Sequence, residues 1–156
     1  MDRPPPVEVV LVEDSPADAE LTLRAFSKHN LSNRIAVLTD GEAALDFFFG
    51  RGAYAGRDMR EAPRLVLLDL KLPKIDGIEV LRALKADPQT GCIPVVMLTS
   101  SGETPDIAEC YRLGASSYIV KPVGFENFTA AVRDIGFYWL LLNRPPAACI
   151  GRRSDG

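Results

Sequence analysis

The chain offers almost nothing to a soft or borderline metal: one histidine, His29, and three scattered cysteines, Cys92, Cys110 and Cys149, with no CxxC pair and no Cys/His ligand spacing. A zinc site is therefore disfavoured, and the cysteines read as reduced thiols of a cytosolic protein. His29, near the end of the first helix, reads as an exposed or dipole-favoured side chain without a catalytic role. No apolar run nears the ~20 residues that span a bilayer. Residues 1–6 hold one Arg and a proline run but no apolar stretch of signal-peptide type, so the expected location is the cytoplasm. A basic surplus is also missing: 18 Lys and Arg stand against 21 Asp and Glu, which argues against nucleic acid and anionic membrane as partners. With 156 residues there is room for one domain and none for a separate output domain.

What is present is an alternation of short Val/Leu/Ile-rich runs with longer segments of helical period, the pattern of a parallel sheet covered by helices on both faces. Strands are expected at 7–12, 34–38, 65–68, 93–98 and 117–120. The first helix starts at the cap Ser15 with Pro16 behind it and ends by Asn30. Asp40 caps the second, which Gly50, Gly52 and Gly56 break, leaving a long loop to Pro63. Further helices are expected at 78–86, at 105–113 with Gly114 as C-terminal cap, and from 125 to about 142. One folded domain over 7–143 is predicted, between a tail at 1–6 and a frayed tail at 144–156 that starts near Pro145 and Pro146. Five βα units and right-handed crossovers leave few arrangements, of which the commonest at this size is a five-stranded sheet of order 2-1-3-4-5.

Open α/β sheets collect functional groups at the carboxyl ends of their strands. Here strand 1 runs into Glu13 and Asp14, strand 3 into Asp69, strand 4 into Thr99, Ser100 and Ser101, and strand 5 into Lys121 and Pro122. Carboxylates crowded ~4 Å apart repel by on the order of 4 kcal/mol per pair at an effective dielectric near 20, so a cation must sit among them. Lys121 supplies one charge. A hard divalent ion suited to carboxylate and carbonyl oxygens offsets more, and Mg²⁺ is the natural candidate. Asp69, flanked by both neighbouring strands, is placed to attack phosphorus and form an acyl phosphate. Each residue taken singly has a plainer reading: Glu13 and Asp14 as a helix-capping pair, Asp69 and Lys121 as solvated charges, Thr99 to Ser101 as a capping loop, and Tyr118 as a packed strand aromatic. Their joint placement favours the chemical reading.

The segments VEDSPAD, LVLLDLKLPKIDG, VVMLTSSGE and SYIVKP resemble the four signature segments of response-regulator receiver domains, and the resemblance spans roughly residues 7 to 143. It implies a doubly wound (βα)5, flavodoxin-like fold whose strand order is the family's own and so is no independent expectation. It further implies Asp69 as phosphoacceptor, with Mg²⁺ held by Asp14, Glu13, Asp69 and the backbone carbonyl of Lys71. Lys121 would pair with the phosphoryl oxygens, Thr99 would act as switch hydroxyl and Tyr118 as the aromatic that follows it. The family's Lys-Pro bond is cis, which extends to Lys121-Pro122. The implied partner is a sensor histidine kinase or phosphotransfer protein, and the chain would assist its own phosphorylation and dephosphorylation without being a conventional enzyme. FFFGRGAYAGRDMREAPRLVLLDL, KADPQTGCIPVVMLTSS and ENFTAAVRDIGFYWLLLNRPP are similar to small regulators paired with bacterial phytochromes, which suggests a bacteriophytochrome as that kinase.

Two other classes compete. A phosphatase of the haloacid dehalogenase type also phosphorylates an Asp but needs a second acid two residues on, where this chain has Lys71. A binding-only module would be either a flavodoxin-like nucleotide binder, which the lack of a hydroxyl- and glycine-rich phosphate loop after strand 1 disfavours, or a receiver that takes no phosphate, against which the intact acids and Lys121 argue. In the last helix Phe125, Phe128, Val132, Ile135, Trp139 and Leu142 follow one helical stripe that the core can absorb. Phe137, Tyr138, Leu140 and Leu141 widen the apolar surface beyond it, and a homodimer contact is expected there, through helix 4, strand 5 and helix 5, the surface by which receivers commonly pair.

Overall fold

The computed structural model of the chain describes residues 6–31, 34–59 and 61–145. Five strands, β1 (Val9–Val12), β2 (Ile35–Leu38), β3 (Leu65–Leu68), β4 (Val95–Thr99) and β5 (Ser117–Val120), alternate with α1 (Pro16–Lys28), α2 (Gly41–Phe49), α3 (Gly77–Ala86), α4 (Thr104–Leu113) and α5 (Phe125–Gly136). All neighbouring strands are parallel, in the order β2-β1-β3-β4-β5, as expected. The expected tails fall almost wholly outside the described residues, as does Cys149.

Every residue of β1, β3 and β4 is buried, as strands with helices on both faces require. Their period of two sends Val10, Val12, Val66, Leu68, Val95 and Met97 to one face, where Phe47, Phe48, Val80, Leu81, Leu84 and Cys110 of α2, α3 and α4 meet them. Val9, Leu11, Leu65, Leu67, Val96 and Leu98 face Ala25, Phe26, Phe128, Val132 and Ile135 of α1 and α5. Each such side chain taken fully out of water contributes roughly 1.5–3 kcal/mol, so the five-strand stack carries most of the stability.

Local signals define the helix starts. Ser15, Asp40 and Asp76 accept hydrogen bonds from the amides of Asp18 (3.3 Å), Ala43 (2.7 Å) and Glu79 (3.1 Å). β4 begins two residues later than expected, after Pro94, whose ring nitrogen has no N–H for the ladder. The stretch after α2 is no bare loop: the Arg57 guanidinium stacks 4.2 Å from the centre of the Phe47 ring and donates to the carbonyls of Phe47 (2.7 Å) and Glu61 (3.0 Å).

α5 departs most from expectation. It continues as a π-helical turn, Phe137–Leu142, in which the amide of Asn143 donates to the carbonyl of Tyr138, five residues back. This wider spacing rotates the side chains, so Leu140, five residues after Ile135, enters the core at 2% exposure. Leu140 therefore cannot serve the dimer contact assigned to it. Phe125 and Leu142, expected to face the core, are exposed instead, while Phe137, Tyr138 and Leu141 remain on the surface. Gly136 permits the approach of α5 to α1, because a Cβ there would lie 2.5 Å from Leu31 Cδ1 and 2.7 Å from Phe26 Cε1.

Two further expectations need correction. No cis peptide occurs among the described residues, so Lys121-Pro122 is trans; the cis form came from family likeness and not from any local requirement of this chain. Cys110 is a free, buried thiol, pushed up to about 11 by burial, whereas Cys92 is disulfide-bonded and not a reduced thiol. Among the described residues no helix is long and apolar enough to cross a membrane.

Candidate functional site

Strand register brings the polar strand ends together. Val12 pairs with Leu68, so Glu13 and Asp69 emerge side by side, and the Asp69 amide donates to the Val12 carbonyl at 3.1 Å. Leu68 pairs with Met97, and Thr99 pairs with Val120, whose successor Lys121 donates its amide to the Thr99 carbonyl at 2.7 Å. Below Asp69, the N-terminus of α3 closes in through Gly77, whose amide donates to the Leu70 carbonyl at 2.6 Å. A Cβ at Gly77 would lie 2.1 Å from the Asp69 carbonyl oxygen, so only glycine allows this seat for the acid.

Glu13, Asp14 and Asp69 each present a carboxylate oxygen within 4.8 Å of the others, two of them buried and Asp14 exposed. Lys121 reaches the cluster from β5: its Nζ donates to Glu13 Oε1 (2.7 Å), Asp18 Oδ2 (2.8 Å) and Asp69 Oδ2 (3.1 Å). Desolvation pushes the Glu13 carboxyl up to about 7, against the pull of its hydrogen bond to Lys121 and with the help of the Asp69 charge. For Lys121, burial works to lower the ammonium, but the hydrogen bonds to Asp18 and Glu13 outweigh it, and the net shift is upward, so the amine stays charged at neutral pH. One fixed cation among three partner acids leaves negative charge in excess, and the oxygen-only donor set fits a hard divalent ion.

Around this centre lie the other candidates. Lys71 donates its backbone amide to Asp69 Oδ1 at 3.4 Å and, with Asp14, Asp76 and Asp106, lines an open cleft beside the acids. Thr99 is buried, its Oγ1 accepting from the Ser101 amide at 3.4 Å. Tyr118 sits one strand over, its hydroxyl donating to the Ser101 carbonyl (2.8 Å) and its amide to the Tyr111 hydroxyl (3.1 Å). Ser101 Oγ donates to Asp106 Oδ2 at 2.6 Å, which ties the loop after β4 to the first turn of α4.

The structure thus brings Glu13, Asp14, Asp69, Thr99 and Lys121 to one end of the sheet. Asp18 escaped notice in the sequence because an acid in a helix's first turn is ordinary; its distance of one turn from Asp14 was the only signal. Asp106 and Tyr111 were equally invisible: their partners Ser101 and Tyr118 lie only five and seven residues away, but across a change from strand to helix or helix to strand that no single period spans. Phe137, Tyr138 and Leu141 are exposed on the extension of α5.

A doubly wound sheet with an acid cluster and a lysine at its carboxyl edge defines an α/β module with a charged site at its strand ends, and comparison with known proteins makes the class specific. Residues 9–133 match the family described as Response regulator receiver domain. The chain belongs to the response-regulator receiver family. Over 141 residues it is 43% identical to the probable methanogenesis regulatory protein FilR2 of Methanothrix harundinacea, covering 90% of this chain and 88% of that one. Response regulator Rcp1 of Synechocystis is 37% identical over 144 residues, 92% of this chain and 96% of Rcp1. The structure of the Mn²⁺-bound form of Rcp1 superposes with a TM-score of 0.84 at 36% identity, covering 91% of this chain and all of that one. The bacteriophytochrome response regulator AtBRR is 48% identical, with a TM-score of 0.70 over 90% of this chain and 100% of its own.

Proposed function

We propose that the chain is a phosphorylation switch in which Asp69 accepts a phosphoryl group from a sensor histidine kinase, with Mg²⁺ held by Glu13, Asp14, Asp69 and the backbone carbonyl of Lys71. The observation that carries this reading is the convergence of Lys121 Nζ on Glu13 and Asp69 beside a third acid, Asp14. An Asp69 carboxylate oxygen attacks phosphorus; the bond from phosphorus to the donor's leaving atom breaks and its electron pair stays with the donor, leaving an acyl phosphate on Asp69. When held by these residues, Mg²⁺ would offset the charge of the phosphoryl oxygens and of the attacking carboxylate. Lys121 holds Asp69 in line before transfer and takes a phosphoryl oxygen after it.

Thr99 is the residue that senses the new group, being buried on β4 beside Asp69's strand. Its loop is joined to Tyr118 through the Ser101 carbonyl, so a shift of Thr99 toward the phosphoryl oxygens displaces the hydrogen-bond partner of Tyr118. The surface of α4, β5 and α5 then repacks, a two-state change biased by one charge. That surface, extended by Phe137, Tyr138 and Leu141, pairs two copies of the chain. Likeness over nearly the whole length to the bacteriophytochrome response regulator AtBRR supports a bacteriophytochrome as the kinase.

Incubation with acetyl phosphate and Mg²⁺ followed by intact-mass measurement tests the reading. A phosphoryl adduct that disappears in Asp69→Asn is expected; absence of any adduct on the native chain overturns it in favour of a binding-only receiver.

A further inference from the structure

Lys121 has no hydrogen to spare. An ammonium carries three N–H groups, and Glu13, Asp18 and Asp69 each accept one, at 2.7, 2.8 and 3.1 Å. A phosphoryl oxygen arriving on Asp69 therefore has to displace one of these acceptors. The three are not equal: the Asp18 side chain is 33% exposed, against 4% for Glu13 and 10% for Asp69. Asp18 also stands outside the trio whose oxygens lie within 4.8 Å of one another. It is thus the one partner that can return to water at little desolvation cost and that has no place in the cation cage.

We propose that Asp18 is a positioning residue that occupies Lys121 until phosphorylation, balancing its charge in the resting state and yielding its place on Nζ to a phosphoryl oxygen. This rests on the phosphoacceptor reading of Asp69. Two consequences of opposite sign follow. Without the Asp18 charge, Lys121 is less neutralised beside the acid cluster, so a divalent cation binds there more weakly. For the same reason Lys121 is freer to hold an anion, so a phosphoryl donor binds more tightly. A variant that had merely loosened α1 would weaken both.

The experiment compares the native chain with Asp18→Asn, Asp18→Glu and Glu20→Gln. The last removes the same charge from the exposed side of the same helix, where Glu20 pairs with Arg24. Calorimetric titration with Mg²⁺ alone, without any phosphoryl donor, is expected to show Asp18→Asn binding on the order of tenfold more weakly. At saturating Mg²⁺, the acetyl phosphate concentration giving half-maximal phosphorylation should fall several-fold. Asp18→Glu should restore both values and Glu20→Gln should leave both unchanged. In metal-free protein, the Lys121 ammonium protons should exchange with water faster in Asp18→Asn, read by nitrogen-15 NMR. Unchanged Mg²⁺ affinity in Asp18→Asn, or a parallel loss of cation and donor binding, overturns the proposal while leaving phosphorylation of Asp69 standing; a native chain that takes no phosphoryl group overturns the parent reading and, with it, the displacement step.

Discussion

Glu13 shows how burial shapes the resting site. Its ordinary value of 4.5 rises to about 7, chiefly through desolvation, so between those values the folded chain binds a proton that the unfolded chain has released. The sign follows: Glu13's contribution to stability is fully present below about 4.5 and is lost as pH rises through about 7. In EDTA, urea unfolding of the native chain and of Glu13→Gln is expected to diverge across that window, with the native chain losing stability relative to the variant as pH rises; parallel curves would refute the assignment. Lys121→Met should cost roughly 3 kcal/mol in the same buffer, because it leaves Glu13 and Asp69 buried without their cation. Added Mg²⁺ should recover part of that loss, read as a shift in the unfolding midpoint.

Two elements carry the geometry on which those residues depend. The start of α3 is pressed against the turn after β3, and Gly77→Ala would drive a methyl into the Asp69 carbonyl. A loss of about 1–3 kcal/mol in stability is expected, together with slower phosphoryl uptake by a displaced Asp69, measured by denaturation and by intact mass. The π-helical turn of α5 separates neighbours that look alike in sequence. Leu140→Ala, opening a core cavity, should destabilise by about 2–5 kcal/mol, whereas Leu141→Ala, at 60% exposure, should stay within about 0.5 kcal/mol of the native chain. Equal effects of the two would show that α5 keeps an α-helical phase to its end.

For the molecule as a whole, the open question is what covers the apolar end of α5. Phe137, Tyr138, Leu141 and Leu142 are each at least half exposed on one stretch of chain, a density that single copies in water seldom carry. Leu141→Glu with Phe137→Glu is expected to convert a sedimenting dimer into a folded monomer, whose thermal midpoint no longer rises with protein concentration as that of the native dimer does. A native chain that already sediments as a monomer at all accessible concentrations would remove the pairing from the proposal.

The composition and period of the chain were enough for the layered fold: continuous apolar runs demand burial on both faces, and only a parallel sheet between helices supplies it. The strand ends were legible for the same reason, since a polar residue directly after a buried run must emerge at the sheet's edge, and Glu13, Asp69, Thr99 and Lys121 all do. Tertiary structure alone decided what lies off the strands. Asp18 meets Lys121 across 103 positions because α1 and the end of β5 flank one pocket, and Leu140 rather than Trp139 fills the core because a single wide turn changes the helical phase. A side chain's strand position follows from a period of two, but its partner across the fold depends on how separate elements pack, and no local pattern encodes that distance.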